Sequence, residues 1–193
     1  MRWRYPDKPL EINSLSICRD GEYLAQSKHD GWRCLIVMNE HDDIEFWSRQ
    51  QKKLPVSFDF TTAIANLPIP SGSVLDGEWM KRRPNYTGPE MIYLFGVLWW
   101  GDKWMGRLPE IERWEMVQEI MRHNRSPLLR LPQTTTSGYE AFFEQTKKDP
   151  SSEGIVLKKL DSKLLGNLTD SKQNPLWYKY KWRSGADGWT IKQ

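Results

Sequence analysis

The chain has 193 residues and a mass of 22.8 kDa, enough for one large domain with a core that needs no staples. Its two cysteines, Cys18 and Cys34, form neither a disulfide framework nor a metal-ligand spacing, which excludes structural zinc and points to a reducing compartment. The net charge of +3 is too small to demonstrate a polyanionic partner by itself, and no stretch approaches the ~18 apolar residues of a membrane span.

The opening Met1-Arg2-Trp3-Arg4-Tyr5-Pro6 has no apolar h-region, so no signal peptide is expected there. A cytoplasmic location is expected, with a cellular or a viral source both open. Residues 1 to 21 read as irregular, with Pro6, Pro9 and a turn at Arg19-Asp20-Gly21. Tyr23 to Gln26 predicts a strand that leads into Lys28, and Arg33 to Met38 predicts the next. Ile44 to Arg49 alternates like a half-buried strand, and Phe58 to Asn66 is a short helix stopped by Pro68 and Pro70. Ser73 to Met80 reads as a strand interrupted by Asp76-Gly77, and Met91 to Trp100 as a central strand closed by Gly101-Asp102. Ile111, Trp114, Val117, Ile120 and Met121 lie at helical spacing, so an amphipathic helix is expected from Glu110 to His123. Tyr139 to Lys148 predicts a shorter helix. Gly154 to Lys158 and Leu176 to Trp182 predict late strands around a polar loop, Gly166 to Asn174. Many strands with two or three helices and no internal repeat make an α+β domain.

Basic residues cluster at Lys52-Lys53, Lys81-Arg82-Arg83, Lys147-Lys148, Lys158-Lys159 and Lys179/Lys181/Arg183. Lys147-Lys148 reads as a solvated face. Several such clusters beside strands, in a chain with 11 Trp, favour a phosphate-rich ligand.

Alone, Lys28-His29-Asp30-Gly31 would be an Asp-Gly hairpin turn carrying a solvated lysine. It is followed in order by Ser48-Arg49, Leu75-Asp76-Gly77-Glu78, Tyr93 to Leu98, Glu153 to Lys158, and Trp177-Tyr178-Lys179-Tyr180-Lys181. Together these segments resemble the nucleotidyltransferase motifs of ATP-dependent DNA ligases and of their relatives, the RNA ligases and mRNA capping enzymes. The resemblance runs from about Tyr23 to Lys181. It implies an adenylation-domain fold, ATP-grasp-like in outline, with two antiparallel β-sheets flanked by helices and the nucleotide in a groove between them.

The resemblance also implies a role for each matched residue. Lys28 becomes the nucleophile that attacks the α-phosphate of ATP, expels pyrophosphate and carries AMP as a phosphoramidate. A free lysine, with a pKa near 10.4, is mostly protonated at pH 7, so nearby cations and burial must favour the neutral amine. Lys179 and Lys181 alternate with Tyr178 and Tyr180, which puts both on one face of a strand. The family places them on the α-phosphate. Glu153 matches the metal-binding carboxylate, suited to Mg²⁺ with Mn²⁺ as an alternative. Glu78 matches the ribose contact, Phe95 the ring that stacks on adenine, and Gln26 a reader of the adenine edge. Arg33 and Arg49 match arginines that hold AMP and the 5′-phosphate of a nick. Asp30 and Asp76 are expected only to shape their turns.

The residues around these motifs favour nicked duplex DNA as the substrate: Glu112-Arg113 opening the long helix and Lys159-Leu160-Asp161-Ser162 after Glu153. RNA is the alternative, through an RNA ligase or a capping-type enzyme. A different class is a non-catalytic nucleotide- or DNA-binding module that needs a partner chain. Two departures stand out. Gly96 occupies the place after the stacking aromatic where the family usually has Asp. Only twelve residues follow Lys181, so residues 1 to 193 read as one nucleotidyltransferase domain without the OB-fold domain of DNA ligases. A partner chain in place of that domain is a further expectation.

Overall fold

A computed structural model describes residues 4–41, 43–81 and 86–182. Among them, eleven strands and three α-helices follow in the order β1 (Asp7–Glu11), β2 (Tyr23–His29), β3 (Trp32–Met38), β4 (Ile44–Ser48), α1 (Phe58–Ala65), β5 (Val74–Met80) and β6 (Met91–Trp100). Then come β7 (Lys103–Trp104), α2 (Glu110–Arg122), β8 (Leu129–Arg130), β9 (Thr134–Thr135), α3 (Tyr139–Thr146), β10 (Ser152–Lys159) and β11 (Lys172–Lys181). The fold is α+β with two sheets, one ordered β1-β11-β10-β2-β9 and the other β4-β3-β5-β6-β7, where β8 pairs with β6. The pairings are antiparallel except at two places, β1 with β11 and β6 with β8. No helix among the described residues is long and apolar enough to cross a membrane.

Strand alternation builds the core. Cys34, Ile36 and Met38 of β3 point to one face and join Leu75 of β5, Leu94 of β6 and Trp114 and Val117 of α2. Leu35 and Val37 point to the other face, where Tyr5 and Leu168 cover them. The five-stranded sheet buries Ala25, Ile155 and Leu157 against Tyr139, Phe142 and Phe143 of α3. At ~25 cal/mol per Å² of apolar area, these faces dominate the stabilisation of both sheets.

Several elements differ from the sequence expectation. The short strands β7, β8 and β9 had no predicted counterpart, and β11 starts at Lys172, inside the loop expected from Gly166 to Asn174. Three further differences bear on the site. Residues 1 to 21 were expected to be irregular, yet Asp7–Glu11 forms an edge strand beside β11. Its lock is the fully buried Asp7 carboxylate, which accepts hydrogen bonds from Leu165 and Gly166 N–H and from Asn174 Nδ2. A contact so distant in sequence leaves no local pattern. The Asp76-Gly77 pair does not interrupt its strand; β5 is continuous and the pairing with β6 shifts register there. Gly77 permits this because a Cβ would lie 2.7 Å from the Tyr93 carbonyl oxygen. Finally, Asp30-Gly31 is not a hairpin turn. The strands that it joins belong to different sheets, so the chain crosses from one to the other immediately after Lys28.

Candidate active site

That crossing opens a cavity of about 790 Å³ between the sheets. The inner face of β2 runs from Leu24, in the core, to Gln26 and Lys28, which line the cavity. The corner is tight: the Asp30 amide donates to the Ser151 carbonyl at 3.0 Å and the Gly31 amide donates to Glu78 Oε1 at 3.0 Å. A Cβ on Gly31 would meet Glu78 Cγ at 2.6 Å and the Trp79 carbonyl at 2.9 Å, so only glycine lets β3 pass so close to β5.

Glu153 enters through a bulge. In the β10–β2 pairing, Ser152 faces His29 and Gly154 faces Lys28, which leaves Glu153 as the extra residue. Strict alternation would turn it to the outer face with Ile155; the bulge re-aims it into the cavity. There its Oε1 accepts from Lys28 Nζ, and Lys181 Nζ lies 3.1 Å from Oε1 and 3.2 Å from Oε2. Burial pushes the Glu153 carboxyl up, but Lys28 and then Lys181 outweigh it and hold the group below the ordinary carboxylate range.

Lys179 shares the inner face of β11 with Lys181 and Trp177, while Tyr178 and Tyr180 pack outward. Its Nζ pairs with Glu11 Oε2 of β1 at 2.9 Å, which lowers the pKa of that exposed carboxyl. Arg33 is clamped. Its Nε and Nη2 donate to the two oxygens of Asp76, and its guanidinium sits 4.5 Å from the centroid of Tyr5 and 5.6 Å from that of Phe95. Burial disfavours the Arg33 charge, but Asp76 more than compensates and raises its pKa.

Glu78 lies across from Arg33 in the β3–β5 pairing. Burial raises its pKa to about 7, against the opposing pull of Lys28 and Arg33. Phe95 packs on the core at the cavity wall, where Lys158 Nζ sits 5.6 Å from its ring and 4.8 Å from that of Trp177. Gln26 is buried, and its Nε2 donor has no partner among the described residues. Arg49 is exposed on the turn after β4, where Gln51 takes a φ of 61°. Thus Gln26, Lys28, Arg33, Arg49, Glu78 and Phe95, with Glu153, Lys179 and Lys181, all line one cavity. Of the basic clusters, Lys158, Lys179 and Lys181 line it, Lys52-Lys53, Lys81, Lys147-Lys148 and Lys159 do not, and Arg82, Arg83 and Arg183 fall outside the described residues.

Asp76 is a correction: it is a buried mid-strand residue that orients Arg33, not a turn former. The signal was available, because Asp76 and Glu78 are two apart and share a face. Gly96 pairs with Asp76 across β5 and β6, and a Cβ there would lie 3.3 Å from Asp76 Cβ. The departure at Gly96 therefore leaves room beside the Asp76–Arg33 pair. Tyr5 and Lys158 were also missed as parts of the site. Tyr5 Oη donates to the Arg33 carbonyl at 2.6 Å, and Lys158 Nζ bonds buried Glu110 at 2.7 Å, with Arg113 on the same carboxylate. Arg113 of the Glu112-Arg113 pair, which counted toward a DNA substrate, is 3% exposed and bonds Glu110 and the Leu108 carbonyl.

As for a divalent ion, no three His, Cys, Asp or Glu side chains cluster among the described residues. Glu153 offers one hard carboxylate at the cavity floor, which suits an ion that arrives with substrate phosphates and takes only one or two protein ligands.

No family model matches the sequence, and no curated protein sequence matches it. In structure the chain is similar to mycobacterial DNA ligase D complexed with ATP and MES (TM-score 0.72, 16% identity), covering 94% of this chain and 61% of that one. It is also similar to the ATP-dependent DNA ligase from bacteriophage T7 in complex with ATP (TM-score 0.62, 15% identity, 91% of this chain and 68% of that one). An archaeal ATP-dependent RNA ligase matches at a TM-score of 0.58 and 14% identity, over 92% of this chain and 48% of that one. The chain thus has the fold of the adenylation domains of ATP-dependent polynucleotide ligases, and spans about three-fifths of the ligase D structure.

Proposed function

We propose that this chain, with a ligase adenylation-domain fold, is a covalent nucleotidyltransferase of an ATP-dependent ligase that seals 5′-phosphate/3′-hydroxyl nicks in duplex DNA. One observation carries the reading: Lys28, Glu153 and Lys181 meet at the floor of the cavity that also holds every other matched residue. Lys28 Nζ forms a bond to the α-phosphorus of ATP as the bond to the pyrophosphate oxygen breaks. Lys179 and Lys181 offset the charge that builds on the phosphate oxygens. The AMP then moves to a 5′-phosphate, and the 3′-hydroxyl displaces it.

Glu153 keeps Lys28 oriented until nucleotide arrives. A Mg²⁺ brought by the triphosphate would be held by Glu153 and would neutralise phosphate charge. The orphaned Nε2 of buried Gln26 is a donor directed to an acceptor on the base edge, and Phe95 supplies a stacking face. Arg33 is held charged and oriented for phosphate, and Arg49 extends toward the cavity mouth.

The test incubates the chain with ATP and Mg²⁺, measures its mass, and then adds a 5′-phosphorylated nick in duplex DNA. One added AMP that Lys28→Ala abolishes supports the covalent step; no adduct on the unaltered chain overturns it. The same nick with RNA strands tests the alternative substrate, which the likeness to an archaeal RNA ligase keeps in view. Sealing of RNA but not DNA would replace DNA as the substrate.

A further inference from the structure

The cavity mouth carries two cations that belong to none of the ligase motifs. Arg4 and Lys8 flank the start of β1, are exposed, and line the same cavity as Lys28. Their backbone is fixed from both sheets. Tyr5 Oη between them donates to the carbonyls of Arg33 and Trp47 of the six-stranded sheet. The Arg4 amide donates to Leu168 O at 2.8 Å, and buried Asp7 anchors the chain to Leu165, Gly166 and Asn174. These side chains therefore project from a built rim.

The deeper cations of the site each have a carboxylate: Glu153 for Lys28 and Lys181, Glu11 for Lys179, Asp76 for Arg33 and Glu110 for Lys158. Among the described residues Arg4, Lys8 and Arg49 form no ion pair. Asp170, the acid that feels Arg4, is itself bonded to Lys172 at 2.6 Å. Arg4 and Lys8 belong to the segment that edges the five-stranded sheet, whereas Arg49 follows β4 of the six-stranded sheet, and all three line the same cavity.

We propose that Arg4 and Lys8, together with Arg49, form an outer phosphate grip for the phosphodiester backbone of the polynucleotide. The triphosphate meets Lys28, Lys179 and Lys181 on the floor, so a grip at the rim serves a longer anion that crosses the mouth. Each phosphate neutralised by such a cation releases counterions, which makes the contact visible as salt dependence. This inference rests on the ligase reading.

The experiment compares the unaltered chain, the double variant R4Q/K8Q and the distant-lysine control K148Q. Binding of a 5′-phosphorylated nicked duplex, as DNA and with an RNA 5′-strand, is measured across a salt series, and AMP adduct formation is measured in parallel. For R4Q/K8Q, the slope of log K against log salt becomes shallower by roughly 2, about one for each cation removed, while adduct formation is unchanged. K148Q leaves the slope as it was. An unchanged slope in R4Q/K8Q overturns the grip. Slower adduct formation with an unchanged slope also overturns it, and assigns the two cations to the triphosphate. Absence of adduct on the unaltered chain would sink the ligase reading alone, because the slope still reports the rim contact.

Discussion

Lys28 and Glu153, 125 residues apart in the chain, meet through Nζ and Oε1 at the floor of the cavity. Pairing of β2 with β10 brings them alongside, and the bulge at Glu153 turns the carboxylate to the lysine. The contact orients the nucleophile but must open before the nitrogen lone pair can attack. Glu153→Gln keeps a hydrogen-bond acceptor yet loses the charge that positions Lys28 and Lys181. Its rate of AMP adduct formation should fall by about 10²–10³-fold, the scale of losing one electrostatic element in a site. Lys28→Arg should form no adduct at all. Labelled ATP in single-turnover reactions measures both, and a full rate in Glu153→Gln would show that the carboxylate is dispensable.

Asp76 holds Arg33 through two hydrogen bonds, with the Asp76 side chain 6% exposed. Asp76→Asn leaves the guanidinium without its counter-charge in a half-buried setting. The expected loss of stability is about 2–4 kcal/mol, seen as a lower denaturant midpoint at an unchanged slope. An unshifted midpoint would mean that Arg33 finds another partner at no cost.

Glu78 at the cavity wall and buried His29 should impose opposite pH dependences on stability. Burial raises Glu78 to about 7 from its ordinary 4.5, so the folded chain holds a proton that the unfolded chain has lost. Its stabilising contribution is complete below pH 4.5 and is lost as pH rises toward 7. Burial lowers His29 to about 4 from 6.5, so there the unfolded chain binds the extra proton and stability rises with pH between those values. His29 is held neutral between Ser27 Oγ and Ser151 Oγ, and its ring stacks 3.5 Å from that of Tyr93. Glu78→Gln should leave stability rising more steeply with pH from 4 to 6.5, and His29→Asn should leave it falling from 4.5 to 7. Unfolding midpoints across that range decide the matter, and identical pH profiles for all three proteins would refute both assignments.

Gly154 has a φ of 154°, and a Cβ there would lie 2.2 Å from the Tyr180 carbonyl oxygen. Gly154→Ala should therefore force β10 and β11 apart beside Glu153 and Lys181. The cost is on the order of 2–4 kcal/mol, with a loss of adduct formation larger than the stability change explains. Thermal unfolding together with adduct assays tests this. If Gly154→Ala proved stable and fully active, the strands would not be pinched there.

The longer strands and the three helices from Tyr23 onward were legible because their apolar periods are local, as in the alternation of Ile44–Ser48 and the helical stripe from Ile111 to Ile120. The two-residue strands β7, β8 and β9 are too short to carry a period. The residue types and order that suggest a nucleotidyltransferase lie in the sequence alone, as does the shared face of Lys179 and Lys181. Strand β1 was not legible, because its partners lie more than 150 residues away at Leu165, Gly166 and Asn174 and its own five residues carry no alternation. The role of Asp76 depended on knowing that β3 and β5 are neighbours. Above all, tertiary structure decided the direction of Glu153 and the meaning of Asp30-Gly31. A bulge inverts the face that period-two alternation assigns, and an Asp-Gly pair reads the same in a hairpin as in a crossing between sheets. Only the pairing of β2 with β10, and of β3 with β5, converts that short corner into the opening of a cavity.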